Sequence, residues 1–481
     1  MQAQPESSLP LVVDLDGTLL ATDSLYESFW AGLGQAPVFT LLCVLRNISN
    51  PSRLKSALAA RVQPDIENLP LRQEVLDQIA QAQQAGRMVV LASGADQRIV
   101  DAVAQRLGLA GVHLGSDGTT NLTGAAKAAA LVARFGAGGF AYMGDSRADI
   151  PVWQAAGQAA GQAIVVAPGK KLRRRIKALA LPDVTFIGAP PSALALLRAM
   201  RPHQWVKNLL LFLPMLAAHQ FDLATFGAIL LGVASFCAAA SSIYIVNDLL
   251  DLSADRQHAQ KRFRPFASGA AKIVHGMALS VALGAVSLLV AAWLGWGMFG
   301  LVLLYMALSL AYSLRLKRLR WLDVFMLATL YTLRVVAGTL AGQLVLSGWL
   351  ANFIFPVFLA LGCVKRLTEL AGAPPGKALA GRGYAPEDRA DLRNIAIAAT
   401  LAATVIFGLY TFSNIASALY IAPWLLRLAA LIIPIWLARM ILRGWQGRMN
   451  HDPIVFALTD APGVALLLFG AVLVLSAAGL F

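Results

Sequence analysis

Residues 241–256 read Ser-Ser-Ile-Tyr-Ile-Val-Asn-Asp-Leu-Leu-Asp-Leu-Ser-Ala-Asp-Arg, and in them a long apolar run gives way to acidic residues. Asp248, Asp251 and Asp255 recur at i, i+3 and i+7, a spacing that places three carboxylates on one face of a continuing helix. Carboxylates at membrane depth are costly unless they hold a cation, and oxygen ligands suit a Mg²⁺ ion that bridges to phosphate groups. The stretch therefore predicts a Mg²⁺ site for a diphosphate group at the end of a membrane helix.

Basic residues follow these acids closely in the chain. Lys261, Arg262 and Arg264 precede Pro265, and their cationic donors suit a diphosphate leaving group on which negative charge develops. We therefore expect Lys261 and Arg264 to bind substrate. The alternative is a solvated helix end whose charges form surface ion pairs. The helical spacing of the acids beside a basic cluster favours the binding site.

The composition indicates a membrane protein of two or three domains. The chain has 481 residues, and its apolar content of 58% exceeds that of an average soluble protein. The net charge of +14 lies largely in loops between apolar runs, where it orients a membrane protein, so nucleic acid is not an expected partner. Three scattered cysteines without histidines at ligand spacing argue against a disulfide framework or a zinc site. The first apolar run is too short for a cleaved signal, so none is expected.

The run Asn-Asp-x-x-Asp-x-x-x-Asp-Arg resembles the first aspartate-rich motif of the UbiA superfamily of intramembrane prenyltransferases. The resemblance covers roughly residues 198–481. It implies that Asn247, Asp248, Asp251 and Asp255 bind Mg²⁺ and the diphosphate of a donor substrate. Asp248 and Asp251 are then the residues on which transfer depends.

Three short apolar runs in the first half of the chain each end in polar residues. Residues 9–13 lead to Asp14-Leu15-Asp16-Gly17-Thr18, residues 88–92 lead to Ser93, and residues 140–143 lead to Gly144-Asp145. Short apolar runs of this kind indicate buried strands of a parallel sheet. Ligands bind at the carboxyl ends of such strands, so these polar residues are candidate site residues.

Together with Lys127 and Asp149, these pieces resemble the four motifs of the haloacid dehalogenase superfamily of phosphotransfer enzymes, over roughly residues 9–168. The resemblance implies an α/β Rossmann-like fold with a helical cap, which we place at about residues 20–85. It also implies that Asp14 is the nucleophile and Asp16 the general acid and base. The implied Mg²⁺ ligands are Asp14, Asp16, Asp145 and Asp149, and the implied phosphoryl-binding residues are Thr18, Ser93 and Lys127. The alternative is a catalytically dead scaffold with a regulatory role.

A basic segment and a linker close the N-terminal half. Six basic residues in 170–177 are expected to lie against anionic lipid rather than nucleic acid. Ala189-Pro190-Pro191 indicates a linker. We therefore predict an N-terminal domain at residues 1–190 and a membrane domain at residues 191–481.

The second half is predicted to be an all-α, multi-span membrane domain. Its apolar runs indicate about nine transmembrane helices, the first of them short: 207–219, 224–247, 277–293, 295–314, 322–344, 348–364, 394–413, 419–440 and 461–480. Turns near residues 295, 342–348 and 413–417 lack Lys and Arg, whereas the intervening loops carry many. The positive-inside rule then predicts an inner-membrane protein whose N-terminal domain and acidic motif are cytoplasmic.

Further polar residues of this half are expected to bind substrate. Lys207 and Asn208 stand at the start of the first predicted span. Tyr312 and Lys317 precede Asp323 in a pattern that matches the superfamily, and Arg334 lies inside a span. A cation inside a span is costly, so its expected partner is a phosphate or, alternatively, a buried acid.

The sixth predicted span ends in Lys365-Arg366-Leu367-Thr368-Glu369, where aromatic prenyltransferases carry a second aspartate-rich motif. Cations in place of acids suit direct binding of an anion, so Lys365 and Arg366 are candidate substrate-binding residues. In this respect the chain resembles the branch that transfers phosphoribose from phosphoribosyl diphosphate to a polyprenyl phosphate.

The expected function is therefore a Mg²⁺-dependent transfer of a phosphoribosyl group from phosphoribosyl diphosphate to a polyprenyl phosphate. The N-terminal domain is expected to be a phosphatase that removes the 5-phosphate of the product. Two alternatives remain: a prenyltransferase that alkylates an aromatic acceptor, and a transporter whose polar residues form a permeation path.

Overall fold

The computed structural model describes residues 9–62, 64–158, 161–374, 378–379, 381–449, 452–457 and 459–480. The chain divides into two compact units, Met1–Met200 with Tyr244–Leu279, and Arg201–Ile243 with Ser280–Phe481. The first unit therefore includes a stretch that lies within the predicted membrane domain. The order of motifs along the chain did not indicate this grouping, because residues 244–279 join the first unit through contacts between residues far apart in sequence.

A six-stranded parallel sheet is the centre of the first unit, with strand order β3-β2-β1-β4-β5-β6. The strands are β1 Leu11–Val13, β2 Val89–Asp96, β3 Leu114–Ser116, β4 Ala141–Gly144, β5 Ala163–Val166 and β6 Val184–Ile187. Val13 of β1 pairs with Leu91 of β2 and with Met143 of β4. The three strands predicted from apolar runs are thus adjacent and parallel, and their carboxyl ends bring the polar motifs to one edge of the sheet.

Nine α-helices accompany this sheet: α1 Ser24–Gln35, α2 Pro37–Asn47, α3 Pro51–Ala59, α4 Gln73–Gln84, α5 Gln97–Arg106, α6 Gly124–Phe135, α7 Ile150–Ala156, α8 Lys170–Ala178 and α9 Ala193–Ala199. The insert between β1 and β2 is helical, as the cap prediction requires. Asp23 caps α1 by accepting from the backbone N–H groups of Leu25 and Tyr26, and Asn50 caps α3. Helix α4 also lies within the predicted cap range, but it packs against the sheet, because its Val75 belongs to the same apolar cluster as β1.

The remaining α-helices are α10 Leu213–Ala218, α11 Leu223–Leu250, α12 Leu252–Gln257, α13 Ile273–Leu294, α14 Trp296–Leu314, α15 Leu322–Ala341, α16 Gly348–Ala371, α17 Arg389–Thr411, α18 Asn414–Leu419, α19 Pro423–Trp445, α20 Pro453–Ala457 and α21 Ala461–Ala477. Seven helices of the described chain, α11, α13 to α17 and α19, are long and apolar enough to cross a membrane. They correspond to seven of the predicted spans. The first predicted span is a 3-10 helix, Pro202–Phe212, followed by the short α10, and the last is the 17-residue α21.

Serine pairs join α11 to α13 within the second unit. Ser235 Oγ donates to the Ser287 carbonyl at 2.9 Å, and Ser287 Oγ donates back to the Ser235 carbonyl at 2.8 Å. Ser242 and Ser280 repeat this exchange at 2.8 and 3.1 Å. Small hydroxyl residues allow helices to approach closely in an apolar environment, and each such bond contributes roughly 0.6 kcal/mol. These bonds hold α11 in register two turns before the acidic motif.

The acidic motif does not lie on one continuing helix. Helix α11 ends at Leu250, and Asp251 takes φ −97° and ψ 12° as the N-cap of α12. The prediction of an unbroken helix is wrong at this residue, because aspartate competes with helical backbone bonds and favours caps. The N–H groups of Asp251 and Asp255 still donate to the carbonyls of Asn247 and Asp251, so the interruption is confined to one residue.

Two candidate active sites

Three carboxylates meet at the edge of the sheet. Oxygen atoms of Asp14, Asp145 and Asp149 all lie within 4.8 Å of one another, and this is the group in the described chain that offers a cation three such ligands. Lys127 Nζ lies 2.8 Å from Asp14 Oδ1 and 3.4 Å from Asp149 Oδ1. The structure thus brings together the predicted nucleophile, two predicted Mg²⁺ ligands and the predicted phosphoryl-binding lysine.

Gly17 lets the loop after β1 pass close to these carboxylates. Its φ is +78°, and a Cβ atom at this position would lie 2.5 Å from Asp145 Oδ2. Any other residue would therefore combine backbone strain with a clash at the acidic cluster.

Among the described residues, Asp16 does not belong to the carboxylate group of Asp14, Asp145 and Asp149. Its Oδ1 accepts from the Ser24 backbone N–H at 2.8 Å, and its Oδ2 accepts from Ser24 Oγ at 3.0 Å. Burial and, to a smaller extent, the charge of Asp23 raise the pKa of Asp16 to about 8. Burial also raises the pKa of Asp14 to about 6, against the lowering effect of Lys127. Asp16 is therefore the carboxyl group more ready to carry a proton at neutral pH, as a general acid requires.

Thr18 and Ser93 are both buried, at 0% and 1% exposure. Ser93 lines a cavity of about 370 Å³ together with Asp14, Asp16 and Lys127. The Thr18 hydroxyl has no hydrogen-bond partner among the described residues, and Thr18 is not one of the residues that line this cavity.

The cavity has three cationic lining residues that sequence reasoning missed. Lys55 of α3 donates to the Gly94 carbonyl at 2.6 Å, Arg72 donates to the Gly17 carbonyl at 3.1 Å, and Lys272 lies 3.2 Å from Asp145 Oδ2. None belongs to a sequence motif, and the proximity of each to the cavity depends on long-range packing. No local signal in the chain distinguishes them from other surface lysines and arginines.

The acidic motif of residues 247–255 is organised by Arg264. Its Nη1 lies 2.7 Å from Asp255 Oδ2 and 3.2 Å from Asp248 Oδ1. Both acids are 2% exposed, whereas Asp251 is half-buried and Lys261 is exposed. Arg264 is thus placed among the acids, and the predicted Lys261 is an exposed side chain whose charge acts on Asp255.

The carboxylates at the sheet edge fit a Mg²⁺ ion, and the motif of residues 247–255 offers a further unpartnered oxygen. At the sheet edge, three carboxylates supply the hard oxygen ligands that Mg²⁺ prefers. In the motif, the buried Asn247 Oδ1 has no hydrogen-bond partner among the described residues. An unpartnered buried oxygen beside carboxylates is costly unless a ligand satisfies it.

Two predicted lysines of the second unit lie beside one carboxylate. Lys207 Nζ forms an ion pair with Asp452, and Lys365 Nζ lies 4.0 Å from the same carboxylate. Lys207 is 6% exposed. The structure therefore joins the segment before α10 to the end of α16, and Asp452 is the residue that connects them.

Arg366 belongs to a buried network instead. Its Nε pairs with Asp323, its Nη1 pairs with Glu369, and its Nη2 donates to the Tyr312 hydroxyl at 3.0 Å. Arg382 reaches the same Tyr312 hydroxyl and Asp323. These protein contacts account for Arg366 and Tyr312 without a substrate, so the case for anion binding at this helix end rests on Lys365.

The remaining predicted residues lie elsewhere in the second unit. Arg334 donates to Asn208 Oδ1 at 3.0 Å, to the Tyr305 hydroxyl at 2.8 Å and to the Leu330 carbonyl. The cation inside the span is thus satisfied in part by neutral oxygens, with Asn208 as one of them. Lys317 is half-buried in a short 3-10 helix, Leu316–Arg318.

Two family models match this chain. The model of the UbiA prenyltransferase family matches residues 209–461, and that of haloacid dehalogenase-like hydrolases matches residues 11–154. Protein y4nM of Sinorhizobium fredii is 35% identical over 464 residues, which are 95% of this chain and 88% of that protein. Nodulation protein NoeC of Azorhizobium caulinodans is 33% identical over 277 residues, which are 56% of this chain and 89% of that protein.

A further relative is named for its activity. Decaprenyl-phosphate phosphoribosyltransferase of Mycolicibacterium smegmatis is 35% identical over 234 residues, which are 47% of this chain and 73% of that protein. The family match covers more than half of this chain, and apolar helices of spanning length lie within it. The chain is therefore an integral membrane enzyme of the UbiA prenyltransferase family, with a haloacid dehalogenase-like domain at its N-terminus.

Proposed function

We propose that this protein transfers phosphoribose from phosphoribosyl diphosphate to a polyprenyl phosphate, in a Mg²⁺-dependent reaction. The observation that carries the proposal is the pair Lys207 and Lys365 beside Asp452, at the helix end where aromatic prenyltransferases carry acids. Cations at this position suit a sugar phosphate better than an aromatic ring. The similarity to a decaprenyl-phosphate phosphoribosyltransferase supports the same substrate class.

In the transfer step, an oxygen of the lipid phosphate attacks the anomeric carbon of the ribose, and the bond from that carbon to the diphosphate breaks. Asn247, Asp248, Asp251 and Asp255 would hold the Mg²⁺ ion. When bound, the ion neutralises charge that develops on the departing diphosphate. Arg264 stands between two of these acids and supplies a cationic donor for the same group. Catalysis is then mostly positioning and charge stabilisation.

We propose that the N-terminal domain hydrolyses the 5-phosphate of the product. Asp14 attacks the phosphorus atom, and the proton that Asp16 carries passes to the departing alcohol. Asp16 then takes a proton from water, which hydrolyses the aspartyl phosphate. Lys127 lies within hydrogen-bond distance of Asp14, so its ammonium group is placed to neutralise phosphoryl oxygens.

We further propose that the N-terminal domain and the acidic motif share the cytoplasmic face of an inner membrane. Arg256, which follows the acidic motif, pairs with Glu27 of α1 within the first unit. This contact supports a common side for the two stretches. The Lys and Arg residues of the loops after α11, α14, α16 and α19 support the cytoplasmic assignment.

The experiment combines the purified full chain, labelled phosphoribosyl diphosphate, a polyprenyl phosphate and Mg²⁺. We expect a labelled lipid with wild type and none with Asp248→Asn or Asp251→Asn, because each substitution removes a metal ligand. Asp222→Asn changes an exposed aspartate before α11 and is the matched control. A parallel reaction contains labelled prenyl diphosphate and an aromatic acceptor. A labelled aromatic product there, with no labelled phosphoribosyl lipid in the first reaction, would instead establish the prenyltransferase alternative. Movement of either diphosphate substrate across a membrane, without chemical change, would overturn both transferase functions.

A further inference from the structure

The end of the loop between α12 and α13, together with the first residues of α13, forms part of the wall of the phosphatase cavity. Lys272, Ile273 and Val274 line the cavity together with Asp14 and Asp145. These residues lie more than a hundred positions after the last haloacid dehalogenase motif and within the range matched by the UbiA model. The phosphatase site is therefore built from two separate stretches of the chain.

A buried ion pair anchors this loop segment to the N-terminal domain. Arg256 Nη1 and Nη2 donate to the two carboxylate oxygens of Glu27 at 3.0 and 2.5 Å, and the two side chains are only 5% and 3% exposed. Thr22 Oγ1 also donates to Glu27, and Arg256 Nε donates to the Ala267 carbonyl. The pair thus connects α1 with the loop that precedes Lys272.

Close packing adds to this anchor. Gly269 has φ +75°, and a Cβ atom there would lie 2.5 Å from the Ala21 Cβ. Ser253 Oγ and Gln257 Nε2 donate to Asp65 at 2.8 and 3.0 Å. Helix α12 and the loop that follows it are therefore held at several points. These contacts position the backbone so that Lys272 lies at the cavity.

Four cationic side chains line the cavity, together with the five carboxylates of Asp14, Asp16, Asp23, Asp145 and Asp149. Lys127 already pairs with Asp14 and Asp149 at the reacting carboxylate. Lys55, Arg72 and Lys272 add three more positive charges around the same space. The Lys272 side chain is 41% exposed and makes a 3.2 Å ion pair with Asp145, so its ammonium group has room to reach a ligand. A partly exposed ammonium group beside the cavity suits a second anionic group on the substrate.

We propose that Lys272 is a substrate-binding residue of the phosphatase site and that it selects phosphomonoesters which carry a second anionic group. This inference rests on the proposed phosphatase function of the N-terminal domain. In a lipid-linked phosphoribose, the phosphodiester to the lipid is such a group. The loop of the transferase domain thus takes part in recognition of the substrate that the phosphatase domain hydrolyses.

The test compares two phosphomonoesters with the full-length protein. Fructose 1,6-bisphosphate carries a second phosphate, and p-nitrophenyl phosphate does not. For Lys272→Ala we expect the KM for the bisphosphate to rise about tenfold with kcat within about twofold, and the KM for p-nitrophenyl phosphate to stay within about twofold. Lys272→Arg restores most of the affinity because it keeps the charge. The control is Lys177→Ala on the exposed face of α8, with no change expected.

Calorimetry on a catalytically inactive variant measures substrate binding without turnover. In Asp14→Asn protein, adding Lys272→Ala should weaken bisphosphate binding about tenfold. Equal effects on both substrates, or no effect, would overturn the role of Lys272 while leaving the phosphatase proposal intact. Wild-type protein that hydrolyses neither compound would overturn the phosphatase function and this inference with it. Unchanged thermal unfolding of Lys272→Ala separates loss of binding from misfolding.

Discussion

Asp14 and Asp16 are neighbours in sequence with different surroundings. Asp14 pairs with Lys127 at 2.8 Å, whereas both oxygens of Asp16 accept from Ser24. Burial raises both pKa values, to about 6 for Asp14 and about 8 for Asp16. Two carboxyl groups whose environments separate their pKa values can divide the roles of nucleophile and proton donor.

Asp14→Asn should remove the phosphatase activity and leave lipid transfer intact. Loss of a nucleophile lowers kcat by at least about a thousandfold, so the 5-phosphorylated lipid should accumulate. Thin-layer separation of the labelled lipids measures the two species. Asp117→Asn, in an exposed loop of the same domain, is the control and should behave as wild type. The same lipid species from wild type and Asp14→Asn would contradict the coupling of the two reactions.

Lys365→Ala should weaken use of phosphoribosyl diphosphate more than use of the lipid. Lys365 lies 4.0 Å from Asp452, which also pairs with Lys207. Removal of one cation from this group should raise the KM for the anionic donor about tenfold with a smaller effect on the lipid KM. Steady-state kinetics with each substrate varied in turn measures both. Lys171→Ala on α8 is the exposed control, and an unchanged donor KM would count against the phosphoribosyl branch.

At the scale of elements, the loop from α12 to α13 depends on its contact with α1. The Arg256–Glu27 pair is buried and doubly hydrogen-bonded. Breaking such a pair by removing one partner leaves an uncompensated buried charge and costs about 3–5 kcal/mol. Loss of this pair should therefore weaken the hold on α12 and on the loop that follows it.

Glu27→Gln should therefore release the loop. Hydrogen–deuterium exchange of backbone amides in residues 252–272 should become faster, because local opening no longer has to break the ion pair. Glu67→Gln changes an exposed glutamate of the same domain and should leave exchange unchanged. Exchange in the loop that is the same in Glu27→Gln and wild type would show that other contacts hold it.

At the scale of the molecule, topology follows from the charges of the loops. The turns around Gly295 and between α15 and α16 lack Lys and Arg, whereas the loop after α14 contains Arg315, Lys317, Arg318 and Arg320. The positive-inside rule places the basic loops in the cytoplasm. The N-terminal domain is expected on the same side, because it packs with the stretch 244–279.

Tags inserted in intact cells test this arrangement. A tag at the N-terminus should be protected from added protease, and a tag after Ser347 should be accessible. A tag between Leu316 and Arg318 is the internal control and should be protected. Accessibility of the N-terminal tag, with protection of the one after Ser347, would reverse the orientation.

The strands, the four phosphotransfer motifs and the acidic motif were predictable because each depends on residues close together in sequence. An apolar run followed by Asp14 or Asp145 indicates a strand end without knowledge of distant residues. The predicted Mg²⁺ ligands Asp14, Asp145 and Asp149 accordingly lie together. The apolar runs of spanning length indicated the membrane helices for the same reason.

Other features were decided by tertiary contacts. Lys55, Arg72 and Lys272 reach the cavity from three separate stretches, and no spacing in the chain relates them. Arg366 resembles an anion-binding residue in sequence, yet its partners include Asp323, 43 positions away. A local pattern fixes which face of an element is polar, whereas the partner that neutralises a buried charge is set only when distant elements pack together.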